Sequence, residues 1–170
     1  MSKPRTPGAA RQRGFTLREM VIVMVLVGII SAIALPRMAN DPVLLSTQVE
    51  QLAGDIRYVQ ALAMTQGQRY RINLTATGYT LTLADAGGTL VPHPFTGSTA
   101  QTDWNSGVTV ILPPTNLPNN LVAFDGRGIP YTDNLATAAL AAASTATITL
   151  SKGGASQSIT ITPQTGRVTP

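Results

Sequence analysis

The sequence predicts an α+β fold in which an N-terminal membrane-spanning helix continues into an amphipathic helix packed on an antiparallel β-sheet domain. Residues 15–35 form an almost uninterrupted apolar run, and residues 45–63 carry apolar side chains at helical spacing. From residue 68 onward apolar and polar residues alternate instead. The change of period from about 3.6 to about 2 separates a helical first part from a sheet-forming second part.

The apolar run from Phe15 to Leu35 has the length of a membrane span. At about 1.5 Å per helical residue it covers about 31 Å, which matches a hydrocarbon core of about 30 Å. Arg18 and Glu19 interrupt it only near its start, where a helix lies close to the lipid headgroups. Pro36 follows the run and should kink or end the helix, because proline lacks a backbone donor.

Charge predicts the orientation and the domain limits. Four of the 12 basic residues lie in a leader, residues 1–14, and the rest of the chain balances eight basic against eight acidic residues. The positive-inside rule places this leader in the cytoplasm. We therefore predict a leader (1–14), a membrane helix (15–36) and one α+β domain (37–170) on the periplasmic side.

The amphipathic helix is predicted from Pro42 to Thr65, with Asp41 as N-cap and Gly67 as the stop. We expect its apolar face to pack on a sheet, and a coiled-coil seam is the alternative. The apolar positions of this face are Leu45, Val49, Leu52, Ile56, Val59 and Ala63.

The alternating segments predict short strands separated by turns. Residues 84–107, here called the excursion, are rich in Gly and Pro and are expected to be irregular, whereas the Ala-rich residues 135–146 fit either a loose helix or a loop. The predicted strands are 70–74 and 79–83 as a first hairpin, 108–112, 121–124, and 145–150 and 157–162 as a second pair joined by a Lys152-Gly153-Gly154 turn, with 166–168 closing the chain.

The order Gly14-Phe15-Thr16-Leu17, with Glu19 before an apolar helix, resembles the N-terminal signal of type IV pilins and of type II secretion pseudopilins. The resemblance implies that a prepilin peptidase cleaves after Gly14 and methylates Phe15. It also implies that Glu19 pairs with the N-terminal amine of a neighbouring subunit during assembly. A carboxylate in apolar surroundings is tolerated when a cation lies beside it, which agrees with that role.

Two residues bear further on this resemblance. Arg18 departs from the family, which mostly has an apolar residue there, and it could compete for Glu19. Pro36 lies at about the distance where type IV pilins carry a helix-bending proline. An ordinary signal anchor is the alternative, and a cleaved secretory signal fits less well because its site would follow the apolar run.

The second half resembles pseudopilin H, the FimT-like minor pilins and the minor pilins of mannose-sensitive haemagglutinin systems. The resemblance rests on the helix 52–66 leading into a strand, on Phe124-Asp-Gly-Arg-Gly128 and on a final Gly166-Arg-Val168. It implies a non-enzymatic subunit of a type IV pilus or a pseudopilus, held in the bacterial inner membrane. The implied partners are a prepilin peptidase, other pilins or pseudopilins bound through the N-terminal helix, the inner-membrane assembly platform and the lipid bilayer.

A DNA-uptake receptor is the alternative function, but nucleic acid is not expected as a partner. Phosphate binding needs clustered positive charge, and the basic residues of the domain are scattered along the sequence and balanced by acids. These residues are Arg57, Arg69, Arg71, Arg127, Lys152 and Arg167.

No catalytic, cofactor or metal site is predicted. The chain has no cysteine and a single histidine, His93, which we expect to be an exposed loop residue. Asp125 lacks the spaced carboxylates of a calcium loop and is interpreted as a turn residue. Trp104 is expected in a small core, and Arg167 as a salt-bridged surface residue.

Overall fold

The computed structural model describes residues 16–34, 41–105 and 107–170. The second of two compact units spans Asp41–Pro170, and α1 belongs to the first. The helices are α1 (Leu17–Ala34) and α2 (Asp41–Gln66). The strands are β1 (Tyr70–Leu74), β2 (Gly78–Leu83), β3 (Thr102–Asp103), β4 (Thr109–Val110), β5 (Leu121–Phe124), β6 (Pro130–Tyr131), β7 (Ala146–Lys152), β8 (Ala155–Ile161) and β9 (Val168–Thr169).

Helix α1 is apolar around its whole circumference. Every side chain from Thr16 to Ser31 is exposed, including those of its valines, isoleucines and methionines. The predicted limits of the span, Phe15, Leu35 and Pro36, lie outside the described residues. Among the helices described, none is both long and apolar enough to cross a membrane.

Helix α2 confirms the predicted amphipathic helix. Its predicted apolar face is buried throughout, and Leu45, Leu52 and Ile56 are wholly inaccessible to solvent. The helix ends at Gln66, and Gly67 follows with a φ of 64°, the left-handed conformation that commonly ends a helix. The pattern of apolar side chains therefore predicts both the length of α2 and the face that it buries.

The strands form two antiparallel sheets instead of one. The first sheet has the strand order β3-β2-β1-β5-β6, and the second has the order β4-β7-β8-β9. Helix α2 contacts β1 and β5 of the first sheet and β7, β8 and β9 of the second. Its buried face and the inner faces of both sheets share one continuous hydrophobic core.

Both predicted hairpins are present. β1 pairs with β2 from Tyr70↔Leu83 to Leu74↔Tyr79, and β7 pairs with β8 from Ala146↔Ile161 to Lys152↔Ala155. Strand β5 comes from farther along the chain and pairs with the free edge of β1. This crossover places the Asp125 turn beside the C-terminal end of α2.

One segment differs from the sequence prediction, and a second one settles an alternative that the sequence left open. The excursion contains β3, whose two residues pair with Gly78 and Tyr79 at the start of β2. Residues 135–146 form a loop rather than a helix up to the start of β7, because Asp133 accepts backbone N–H groups from Leu135, Thr137 and Ala138. An aspartate that binds nearby N–H groups in this way stabilises a turn against a helix.

Candidate functional site

The N-terminus of α1 is capped by Thr16. The N–H groups of Glu19 and Met20 donate to the Thr16 carbonyl at 3.0 and 3.1 Å, and Glu19 N–H also lies 3.4 Å from Thr16 Oγ1. Thr16 and Glu19 stand in the Ser/Thr-x-x-Glu spacing of a capping box. This capping signal is visible in the sequence, and the structure shows that Thr16 sets the first turn of the helix.

Glu19 lies in that first turn with its side chain exposed. A negative charge there is stabilised by the positive end of the helix dipole. No ion pair between described residues involves Glu19 or Arg18. The ion pair by which Arg18 could compete for Glu19 is therefore not formed within the described part of the helix. Gly14 and Phe15 lie outside the described residues.

The domain contains a buried polar cluster that sequence reasoning missed. His93 was expected to be exposed, and this expectation is wrong: His93 is only 4% exposed and lies against Asp55 of α2, which is 0% exposed. His93 Nε2 is 2.8 Å from Asp55 Oδ2, and the Tyr79 hydroxyl donates to the same oxygen. The loop histidine between two prolines gave no sign of burial. Asp55 did, because it lies three residues after Leu52 and four before Val59, on the predicted apolar face of the helix.

The hydrogen bonds of His93 indicate which ring nitrogen faces Asp55 as a donor. Phe95 N–H donates to His93 Nδ1 at 3.3 Å, so the ring proton is on Nε2, which donates to Asp55. Burial, together with the hydrogen bond to Asp55, raises the pKa of Tyr79 far above its usual value of 10.0, so Tyr79 remains a donor. Asp55 thus binds the excursion and strand β2 to helix α2.

Trp104 closes the cluster on one side. Its ring centroid is 5.1 Å from that of Tyr79, and its indole N–H donates to the Thr75 carbonyl at 3.0 Å. Trp104 was expected in a small core, but it lies in the main core of the domain, because it packs against the buried ring of Tyr79. Because the cluster is closed to solvent, its chemistry is that of a structural clamp.

The Asp125 turn is confirmed. Asp125 Oδ1 accepts the N–H groups of Arg127 and Ile129, and Oδ2 lies 3.2 Å from the Arg127 guanidinium. Burial alone would raise the pKa of Asp125, but these backbone donors and Arg127 outweigh it and hold the pKa below its usual 3.8. The stabilisation is therefore present above that pH and is lost as the pH falls through the lowered value.

Two glycine-containing segments of the sequence meet at α2. Gln60 Nε2 donates to the carbonyls of Gly128, at 2.9 Å, and of Thr165, at 3.0 Å. A methyl group at Gly166 would overlap Gln60 and the Gly128 carbonyl. The Phe124–Gly128 and Gly166–Val168 segments therefore need glycine because they pack on each other and on one glutamine.

Two further arginines bind backbone carbonyls. Arg69 and Arg71 donate to the carbonyls of Leu135 and Asn134, so they hold the 133–138 loop. Arg167 is exposed, but no ion pair involving it is present among described residues, so its expected salt bridge is not confirmed.

The described residues contain no group of three or more His, Asp or Glu side chains arranged to hold a metal ion.

The sequence carries two family signatures. A family model described as type II transport protein GspH matches residues 48–166, more than two thirds of the chain. The chain belongs to this family. A second model, the prokaryotic N-terminal methylation motif, matches residues 9–35. The GspH-family match covers most of α2 and all strands up to β8, and the methylation motif covers the residues just before α1 and α1 itself.

Solved structures show the same fold. The chain is similar to the minor pseudopilin EpsH of the type 2 secretion system of Vibrio cholerae, with a TM-score of 0.52, 11% identity, and coverage of 74% of this chain and 94% of that one. It is also similar to the type IV minor pilin FimU of Pseudomonas aeruginosa, with a TM-score of 0.51, 16% identity, and coverage of 74% and 86%. No curated protein sequence matches the chain.

Removing the Tyr79 hydroxyl tests the clamp. Tyr79→Phe takes one of two donors from a buried carboxylate oxygen, so the free energy of unfolding should fall by about 1–3 kcal/mol. Tyr131→Phe is the matched control, because that hydroxyl lies 3.3 Å from Asp125 in a more exposed site. It should change stability by no more than about 0.5 kcal/mol. If the two variants lose the same free energy of unfolding in urea denaturation, the burial of Asp55 does not strengthen its contribution to stability.

Proposed function

We propose that the chain is a minor pilin or pseudopilin, a structural subunit of a type IV pilus or of a type II secretion pseudopilus. The observation that carries the proposal is the combination, in one chain, of the methylation motif over residues 9–35 and the GspH-family match over residues 48–166. A motif alone would fit any anchored protein, and a folded domain alone would fit any exported one.

Helix α1 has the surface that such a subunit needs. Its apolar side chains are exposed on all sides, so they require either lipid or other apolar helices around them. Before assembly, the lipid bilayer of the bacterial inner membrane supplies these surroundings, with the leader in the cytoplasm and the domain in the periplasm. After assembly, the N-terminal helices of other pilins or pseudopilins supply them.

The proposed roles fall on four residues. A prepilin peptidase cleaves between Gly14 and Phe15 and methylates the new amine, Glu19 neutralises the amine of a neighbouring subunit, and Pro36 bends the helix. The exposed position of Glu19 in the first turn supports its role, because a neighbour can reach it. The inner-membrane assembly platform then extracts the subunit. No match supports the DNA-uptake alternative.

Processing is the first test. Co-expression with an active prepilin peptidase should remove residues 1–14 and leave a methylated Phe15, which mass spectrometry of the intact protein and of its N-terminal peptide will show. Gly14→Leu is the control and should keep the leader, because the residue before the cut is changed. A retained leader, alongside a correctly cut control pilin, would contradict the proposal.

Glu19→Ala is the second test, and it separates a filament subunit from an anchored protein. Removing the charge should leave cleavage and membrane abundance unchanged, because insertion becomes less costly. Incorporation into sheared filaments should fall by about tenfold or more, because the neighbouring amine then lacks a partner in apolar surroundings. Immunoblotting of sheared and membrane fractions measures both quantities.

Two further variants complete this test. Glu50→Ala removes an exposed glutamate from α2 and should assemble normally. Arg18→Leu should assemble at least as well as the unchanged chain, because it removes a cation beside Glu19. If Glu19→Ala is incorporated normally, both alone and combined with Arg18→Leu, Glu19 has no role in assembly.

A further inference from the structure

The fold gathers three arginines that are far apart in the sequence. Arg127 lies in the turn after β5, Arg167 lies just before β9, and Arg57 lies on α2. All three are exposed, and the Arg127 side chain is 75% exposed. We call them the arginine patch. Sequence spacing suggested scattered charge, and the tertiary contacts overturn that impression for these three residues.

The contacts that join the patch are short. Arg127 precedes Gly128 and Arg167 follows Gly166, and these two glycines are packed against each other. Gln60 donates to both segments, and Arg57, one helical turn earlier, donates from Nη2 to the Val168 carbonyl at 3.2 Å. The three guanidinium groups therefore extend from backbone positions that are fixed around one side chain of α2.

Charge within the patch is unbalanced. Among described residues, the ion pair between Arg127 and Asp125 is the one that involves a patch arginine. Asp125 is mostly buried and also binds two backbone N–H groups, so it belongs to the turn more than to the surface. Glu50 lies on the same helix as Arg57, about two turns earlier, near 10 Å away at about 1.5 Å per residue.

We propose that the arginine patch is an interaction surface for a carboxylate-bearing face of a neighbouring filament subunit. The proposal rests on the proposed function, since it names a contact that the folded domain makes once α1 has entered a filament. Guanidinium groups bind carboxylates through paired hydrogen bonds, and a fixed set of them selects the register of the partner.

The size of the patch favours carboxylates over the phosphates of nucleic acid. Three arginines, one of which already binds Asp125, cannot neutralise the six to ten phosphates that an ordinary nucleic-acid site contacts. Arg69 and Arg71 do not extend the patch, because their guanidinium groups are bound to the 134–135 backbone. A small set of arginines instead matches a few carboxylates on a protein surface.

The test uses the full chain with Arg127→Glu and Arg167→Glu combined. Arg57 is left unchanged because its bond to Val168 supports β9. Incorporation into sheared filaments, relative to the membrane fraction, should fall about tenfold at unchanged abundance, because like charges then face each other. The melting temperature should fall only slightly, because the Asp125 turn keeps its two backbone donors when the ion pair with Arg127 is lost. Arg127→Lys with Arg167→Lys keeps the charge but loses the paired hydrogen bonds of the guanidinium groups, so it should recover only part of the incorporation.

The matched control is Lys152→Glu, a charge reversal at the other end of the β7–β8 hairpin. At about 3.4 Å per residue it lies roughly 20 Å from the patch, and it should assemble normally. Incorporation of the double Glu variant at the unchanged level, or an equal loss in Lys152→Glu, would overturn the proposal. Absence of even the unchanged chain from filaments would instead overturn the proposed function.

A second measurement tests the binding of carboxylates without the need for filaments. The purified full chain and the double Glu variant, both in detergent, are passed over an immobilised hexaglutamate peptide, a hexaglutamine peptide and a single-stranded DNA oligonucleotide of charge equal to that of hexaglutamate. The unchanged chain should be retained about tenfold more than the variant on hexaglutamate, and salt should abolish the difference. A difference seen on DNA and not on hexaglutamate, or no difference at all, would overturn the carboxylate assignment.

Discussion

The packing of α2 on both sheets is the contact on which the rest of the domain depends. One face of the helix, from Leu45 to Ala63, lies in the same core as the inner side chains of the first and second sheets. Truncating a fully buried leucine in such a core costs about 2–5 kcal/mol, a large share of an ordinary domain's stability. No strand pair joins the two sheets among the strands described, so the helix is what unites them.

Polar contacts add direction to this packing. Asp55 fixes the excursion and β2 through His93 and Tyr79, and Gln60, five residues later on the same helix, fixes two glycine turns. A hydrophobic face alone would allow α2 to rotate or slide, whereas buried hydrogen bonds allow one arrangement. The arginine patch is a consequence, because Gln60 brings its two turns together.

The division of the molecule into two parts follows from the same packing. The domain buries its own apolar surface through α2, whereas the apolar side chains of α1 from Leu17 to Ile30 are exposed. This arrangement agrees with the two family signatures, a methylation motif over α1 and a GspH-family domain after it.

The sequence predicts those features that depend on local periodicity. The bounds of α2 and β5 and the positions of both hairpins follow from the spacing of apolar residues together with the capping and turn residues that flank them, and the Asp125 turn follows from its Asp-Gly-Arg-Gly residues. The burial of His93 depends on a contact with Asp55, 38 positions earlier, and β3 exists only because β2 offers an edge. The division into two sheets and the arginine patch also arise from tertiary contacts, which spacing does not reveal.

The union of the two sheets by α2 can be measured directly by native-state hydrogen exchange on residues 41–170 carrying Leu52→Ala. The amides of β1 and β5 in the first sheet and of β7 and β8 in the second should lose the same protection free energy, about 2–5 kcal/mol, because one core holds all four strands. A loss confined to one sheet, with the other unchanged, would contradict the account.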